Sequence, residues 1–347
     1  MIKTGFSLYL GSGFEKNKEV IKKASKANMN TVFTSLHIPE ESVDDYGFEV
    51  KRLLAECVKH DLNVMVDVSN HTMEKLGIGR LVELKEWGFS HLRIDFGISL
   101  EEVVALSQDF YIVLNTSTIT KPELEKLKEL GADFSKFSSC HNFYPKPLTG
   151  ISIGDCQKRN QLLKQYKIQT MGFVAGDLDT RGPLHVGLPT CEKHRYQPVL
   201  KSMLDLSMNG ECDIVLIGDI DIRDETLQQL KDLSNGFINL RATIDPDYHY
   251  LTKMIHYDRV DKSEHLFRSV QSRKQFYKTP VKQTSERVIG SLCVSNENYL
   301  RYEGEFEIMK KDHPRDDRVN VVGQIIEEDI DYLSLIDHEI GIKLHLT

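Results

Sequence analysis

The sequence predicts an α/β fold, a (β/α)8 TIM-type barrel followed by a small β-rich C-terminal domain, on three observations. From residue 2 to about residue 245, eight short β-branched or apolar runs alternate with amphipathic stretches. Acidic and amide side chains gather at the C-terminal end of run after run, where barrels of this kind place their chemistry. Beyond Asp245 the alternation stops and shorter strand-like pieces take over. The expected division is therefore a catalytic barrel over 1–245, a connector over 246–279 and a small β-rich domain over 280–347.

The eight strand candidates are KTGFSLYL (3–10), TVFTSLHI (31–38), NVMVDVS (63–69), HLRIDF (91–96), YIVLNTS (111–117), DFSKFSSC (133–140), QTMGFVA (169–175) and DIVLIGD (213–219). The stretches between them carry apolar residues three and four apart: Val20, Ala24 and Ala27; Val50, Leu54, Cys57 and Val58; Leu124, Leu127 and Leu130; Leu227, Leu230 and Leu233. Each such helix has one face to bury. Gly88, Gly131, Gly210 and Gly236 stand where a left-handed cap would end a helix before the next strand. Eight βα units fit a closed barrel better than an open sheet. FINLRATID extends the first domain by one strand-like run ending at Asp245, and PDYHYLTKMIHYDRVDKSEHLFRS reads as an irregular or helical connector. ERVIGSLCVS, EGEFEIMKK, NVVGQIIEE and IGIKLHLT then supply the alternating pieces of the last domain.

At 347 residues the chain is longer than one ordinary core organises. With 40% hydrophobic and 28% charged residues it has the composition of a globular protein, and a net charge of -8 disfavours nucleic acid or an anionic membrane as partner. MIKTGFSLYLGSGF has too short an apolar stretch for a signal peptide or anchor. Cysteines 57, 140, 156, 191, 212 and 293 show no CxxC pair and read as reduced thiols, so a cytoplasmic location is expected. P-loop and GxGxxG patterns are absent, and no cofactor is expected. His141, His185 and His194 with Cys191 lack the spacing of an HExxH or paired-cysteine site, so no metal is expected either.

Two loops that follow apolar runs carry the most chemistry: SCHNFYPKPLTG (139–150) and RGPLHVGLPTCEKHR (181–195). Their prolines and glycines shape the backbone while His, Asn, Tyr, Lys and Arg supply donors, a mixture suited to an anionic, hydroxyl-rich ligand. Met65, Asp67 and Ser69 share one face of the third run, and Arg93 and Asp95 one face of the fourth. If those faces point inward, two carboxylates on strands about 4.8 Å apart meet and can divide the roles of acid and of base or nucleophile. The competing reading pairs Asp95 with an arginine such as Arg93. Glu192 is a third catalytic candidate, and Glu40 and Asp219 stand behind it. Arg181 follows the seventh run, where barrels frequently bind phosphate, with Lys193, His194 and Arg195 farther along the same loop.

The stretches FTSLHIPE (33–40), DVS (67–69), LRIDFG (92–97), CHNFYPKPLTG (140–150), RGPLHVGLPTCEKHR (181–195) and IGD (217–219) resemble those of the MupG-type 6-phospho-N-acetylmuramidases, along nearly the whole chain. The resemblance implies a cytoplasmic glycoside hydrolase of peptidoglycan recycling that cleaves the β-1,4 bond of N-acetylmuramic acid 6-phosphate–N-acetylglucosamine, and a C-terminal domain of cyclophilin-like type. The partner would be a phosphorylated amino-sugar disaccharide. On that reading Asp95 is the general acid and Asp67 its partner as base, nucleophile or orienter of the acetamido group. The substrate-binding candidates are Glu40, His141, Asn142, Tyr144, Arg181, His194, Arg195 and Asp219. A phosphosugar lyase, etherase or isomerase, and a non-catalytic phosphosugar-binding protein, are the alternatives.

Overall fold

The computed structural model describes residues 2–36, 46–274 and 278–347. The described chain divides into two compact units, Ile2–Lys231 and Asp232–Thr347. In the first unit, β1 (Lys3–Leu8), β2 (Thr31–Ser35), β3 (Asn63–Val68), β4 (His91–Ile94), β5 (Tyr111–Asn115), β6 (Phe137–Cys140), β7 (Gln169–Val174) and β8 (Ile214–Ile217) close into a parallel barrel. All eight expected strands form, and closure is shown by β1 pairing with both β2 and β8. Most of the expected runs overshoot at their C-terminal ends, where the chain leaves the ladder to build loops, and residues 37 and 38 of the second run lie outside the described residues. The sixth overshoots at its start instead, because the Asp133 side chain accepts from Ser135 N–H and winds 134–136 into a 3-10 turn.

The intervening helices are α1 (Phe14–Lys26), α2 (Tyr46–Lys59), α3 (Thr72–Leu76), α4 (Leu100–Leu106), α5 (Lys121–Glu129), α6 (Ile153–Lys164), α7 (Val199–Met208) and α8 (Asp224–Ser234). Their starts are chemically marked: Ser99 and Ser152 cap α4 and α6, and Thr120 with Glu123 forms a capping box on α5. The α3 segment is a single turn followed by a 3-10 helix over Leu81–Lys85.

Strand alternation sorts the side chains into two layers. Val32, Leu36, Val64 and Leu8 face α2 through Val50, Leu53, Leu54 and Cys57. Phe33, Met65, Val113, Cys140, Met171, Phe173, Ile214 and Leu216 form the interior cluster that plugs the barrel. Gly5 belongs to that tight interior, since a Cβ there would lie 2.2 Å from the Thr31 carbonyl oxygen and 2.3 Å from a Leu216 methyl. Above this packed floor the described residues leave room at the C-terminal mouth.

The second unit is built on a seven-stranded sheet in the order β10-β15-β9-β14-β12-β13-β11. Its strands are β9 (Phe237–Ile244), β10 (Ile255–His256), β11 (Leu266–Arg268), β12 (Ser291–Ser295), β13 (Phe306–Met309), β14 (Val319–Ile325) and β15 (Gly341–Leu346). The run FINLRATI, assigned from sequence to the first domain, is hydrogen-bonded here between β14 and β15. The stretch expected as an irregular or helical connector contributes both edge strands, β10 and β11, too short to show alternation in sequence. All six cysteines are buried free thiols. No helix among the described residues is long and apolar enough to cross a membrane.

Candidate active site

A cavity of about 300 Å³ opens at the C-terminal ends of the barrel strands, lined by Phe33, Ser35, Asp67, Arg93, Asp95, His141, Asn142, Phe143, Pro145, Phe173 and Arg181. Asp67 stands beside Arg93 in the β3–β4 register, so the alternation read from sequence does put both strands' polar faces inward. The two carboxylates meet through a cation. Arg93 Nη1 lies 2.6 Å from Asp67 Oδ1 and 3.8 Å from Asp95 Oδ1, and the Arg93 side chain is 3% exposed. Both readings of this pair therefore contain part of the geometry. Burial alone would lower the Arg93 pKa, but Asp67 and, farther off, Asp95 hold it above its ordinary value.

Two asparagines complete the network. Arg93 Nη2 donates to Asn142 Oδ1 at 2.6 Å, Asn115 Nδ2 donates to the same oxygen at 3.1 Å, and Asn115 Nδ2 also reaches Asp95 Oδ1 at 3.0 Å. The Asn115 amide is itself oriented by Ser117 N–H, which donates to its Oδ1 at 3.0 Å. The apolar wall opposite consists of Phe33, Phe143 and Phe173, packed edge to face with centroids 5.2–5.8 Å apart. Arg181 closes the rim: its guanidinium lies 4.7 Å from the Tyr9 ring centroid and 5.7 Å from that of Phe143. Among the described residues it makes no salt bridge, and the two rings orient its charge.

The expected residues outside this lining hold the loops. Glu192 and Arg195 form a bidentate pair, with Nε and Nη2 each 2.7 Å from a carboxylate oxygen. Glu192 also accepts from Leu148 and Gly150 N–H at 2.9 Å, while Arg195 donates to the carbonyls of Gly187 at 2.8 Å and Tyr144 at 2.9 Å. The hydrogen bonds from Arg195 hold the Glu192 carboxyl down at about 2, against the opposing effect of burial. Glu192, Arg195 and Tyr144 thus clamp the loop after β6 to the loop after β7. His194 is buried with Nε2 2.6 Å from Asp205 Oδ2, an oxygen that Lys193 also reaches at 2.6 Å. Burial would raise the Asp205 carboxyl, but its bonds to His194, Lys193 and Asn209 hold it well below the usual range.

Asp219 is 1% exposed and accepts from the backbone N–H of Gly176 (2.8 Å), Arg181 (2.9 Å) and Leu188 (3.1 Å). Burial raises its pKa, with those three donors working against the rise. Asp221 takes Lys16 at 2.8 Å and Lys23 at 3.3 Å, and Asp177 accepts from Arg223 N–H and the Thr226 hydroxyl at the start of α8. The ends of β7 and β8 are therefore acidic and committed to structure, and among the described residues Arg181 is the cation facing the cavity from this side. His141 follows an inward Cys140, and its ring turns to α6, where Nε2 lies 3.0 Å from Asn160 Oδ1. Its backbone, 3.5 Å from Arg93 Nη2, is the part near the site network. His141, Cys156 and Cys212 place their donor atoms within 4.8 Å of one another, a group no spacing rule in the sequence revealed, and the Asn160 amide bonds all three. Glu40 lies outside the described residues.

The sequence model of the 6-phospho-N-acetylmuramidase N-terminal domain matches residues 4–232, and that of the C-terminal domain matches residues 238–345. The chain belongs to the 6-phospho-N-acetylmuramidase family. It is an enzyme, a glycoside hydrolase. Two solved structures are similar over essentially the full length. A conserved Enterococcus faecalis protein with an unknown function is 33% identical, with a TM-score of 0.80, covering 99% of this chain and 96% of its own. An uncharacterized B. cereus protein is 26% identical, also with a TM-score of 0.80, covering 99% of both chains. Among curated proteins none matches the sequence.

For this 6-phospho-N-acetylmuramidase family member, sequence reasoning missed the bridging role of Arg93, the orienting role of Asn115 and the wall of Phe33, Phe143 and Phe173. A signal for Arg93 and Asn115 was present: Arg93 shares its strand face with Asp95, and Asn115 ends β5 as Asp67 nearly ends β3. Phe33 and Phe173 carried none, because an aromatic residue in a barrel strand is ordinarily core, and Phe143 was marked only by its place in the loop after β6.

Proposed function

We propose that this protein hydrolyses the β-1,4 bond of N-acetylmuramic acid 6-phosphate–N-acetylglucosamine during peptidoglycan recycling, with Asp95 as general acid and Asp67 as its partner. The observation that carries the reading is the unequal setting of the two carboxylates in one cavity. Asp67 is ion-paired at 2.6 Å with a buried guanidinium, whereas Asp95 stands 3.8 Å from it and is more open, its side chain 24% exposed against 9% for Asp67. A pair placed in different electrostatic settings is what acid and base or nucleophile roles require. Asp95 is the better placed of the two to deliver a proton to a leaving oxygen at the mouth.

The substrate's charges match the rest of the lining. Arg181, stacked on Tyr9 and Phe143, offers a planar fork of donors to a 6-phosphate or a lactyl carboxylate. The three phenylalanines suit the apolar face of a sugar ring, and Asn142 a polar substituent on it. The test is direct: incubate the protein with phosphorylated and unphosphorylated muramyl disaccharides and weigh the products. Hydrolysis adds the mass of one water and yields N-acetylmuramic acid 6-phosphate and N-acetylglucosamine from the phosphorylated substrate. An eliminated product lacking that water, or an isomer of unchanged mass, refutes the reading.

A further inference from the structure

We infer that Asn142 is a pre-oriented hydrogen-bond donor for the carbonyl oxygen of the sugar's 2-acetamido group, held in that orientation by Arg93 and Asn115 as positioning residues. The inference rests on the muramidase reading for its ligand and on the hydrogen-bond network for its direction. Arginine has donors only, so the Asn142 atom 2.6 Å from Arg93 Nη2 is its oxygen. Asn115 is fixed in the same way: its Oδ1 accepts Ser117 N–H, which turns its Nδ2 toward Asp95 Oδ1 and Asn142 Oδ1. Two donors therefore converge on Asn142 Oδ1, and its Nδ2 is left for the cavity that Asn142 lines.

A group that only donates selects a partner that only accepts. The acetamido group offers three features, and the cavity has a complement for each. Its carbonyl oxygen meets Asn142 Nδ2, its N–H meets a carboxylate oxygen of Asp67, and its methyl meets the edge-packed Phe33, Phe143 and Phe173. A free 2-amino group, protonated at neutral pH, brings donors where Asn142 also donates and no methyl for the aromatic wall. Among the described residues the charged groups facing this corner are Asp67 from β3, Arg93 from β4, Asp95 just beyond it, and Arg181 from the loop after β7.

The experiment measures binding, so that it stands apart from turnover. N-acetylmuramic acid 6-phosphate and muramic acid 6-phosphate are titrated calorimetrically into wild type, Asn142→Ala, Asn142→Asp and Arg93→Gln, with circular dichroism to confirm folding. Wild type should prefer the acetylated ligand by about tenfold or more, the worth of a well-made hydrogen bond. Asn142→Ala and Arg93→Gln should bring that ratio toward one, and Asn142→Asp, which turns the donor into an acceptor, should invert it. Damage to the fold or to the mouth in general would weaken both ligands alike and leave the ratio standing. Equal affinities in wild type, or a ratio that survives Asn142→Ala, overturns the inference whether or not the protein hydrolyses the disaccharide. Failure to hydrolyse with the ratios as expected overturns the proposed reaction instead.

Discussion

Replacing Arg181 with alanine should make the enzyme lose its preference for a phosphorylated substrate. The guanidinium stacks on Tyr9 and Phe143 with no salt bridge among the described residues, so its charge is oriented but not neutralised. One charge-assisted hydrogen bond to a phosphate is worth about 1.5–3 kcal/mol, which is between about tenfold and about 150-fold in kcat/KM. The half-buried position favours the lower part of that range, because water screens the pair. Loss of stacking on the two rings, about 0.5–1 kcal/mol, weakens the rim for any ligand and cancels in a ratio. The assay is therefore kcat/KM for the 6-phosphorylated disaccharide divided by that for the unphosphorylated one, in wild type, Arg181→Ala and Arg181→Lys. Alanine should lower the ratio by at least about tenfold, and lysine, a charge without the planar fork, should fall between. Equal losses on both substrates, or comparable wild-type rates on both, would refute the assignment of Arg181 to the phosphate.

Four more expectations follow from the site. Asp95→Asn should cut kcat on the natural disaccharide by about 10²–10⁴ while sparing the first chemical step on a 6-phosphorylated aryl glycoside, and Asp67→Asn should impair both; near wild-type cleavage of the disaccharide by folded Asp95→Asn would exclude it as the acid. Glu192→Ala should destabilise the barrel by about 3–5 kcal/mol in urea unfolding, because it strands the fully buried Arg195 guanidinium without its carboxylate. Since the folded Glu192 carboxyl lies at about 2, below its usual value, its stabilisation is present above the unfolded pKa and is lost as pH falls toward 2; the Glu192→Gln variant should lack that part of the acid dependence. Activity should survive exhaustive chelation, since paired carboxylates suffice for glycoside cleavage; loss with chelator, restored by a divalent ion, would direct attention to His141, Cys156 and Cys212.

Period-two alternation made the barrel and its inward carboxylates legible, because the sheet's geometry acts on every strand in the same way. What the pattern could not convey is which partner satisfies each charge. Arg93 looked like a rival to the Asp67–Asp95 contact, and it is the bridge within it, since a guanidinium has donors for several acceptors at once. Glu192 looked catalytic because a carboxylate in the loop between the seventh strand and the next helix is a reagent unless something nearby consumes it. Arg195, three residues on, does so, and the clue lay only in that spacing. His141 fell in a run of polar residues that reads as a loop, yet the strand's alternation persists through Cys140, His141 and Asn142, so its ring goes to the helix layer while Asn142 goes to the site. The β9 strand carried no mark of the sheet to which it belongs, because pairing with β14 and β15 depends on residues about 80 and 100 positions away.

The riveting of the loop after β6 to the loop after β7 bears on how such a site can change over generations. Glu192 and Arg195 read backbone atoms in both loops, and a Cβ at Gly150 would come within 2.7 Å of the Glu192 nitrogen. An insertion in either loop would shift the atoms that the other holds, so lengths here should drift only in concert. Novelty in ligand choice is left to side chains that face the cavity without bearing on the rivet, Ser35, Phe33 and Arg181 among them. Barrels commonly diversify by exchanging loops; this one is built to diversify by exchanging single residues within loops of settled length.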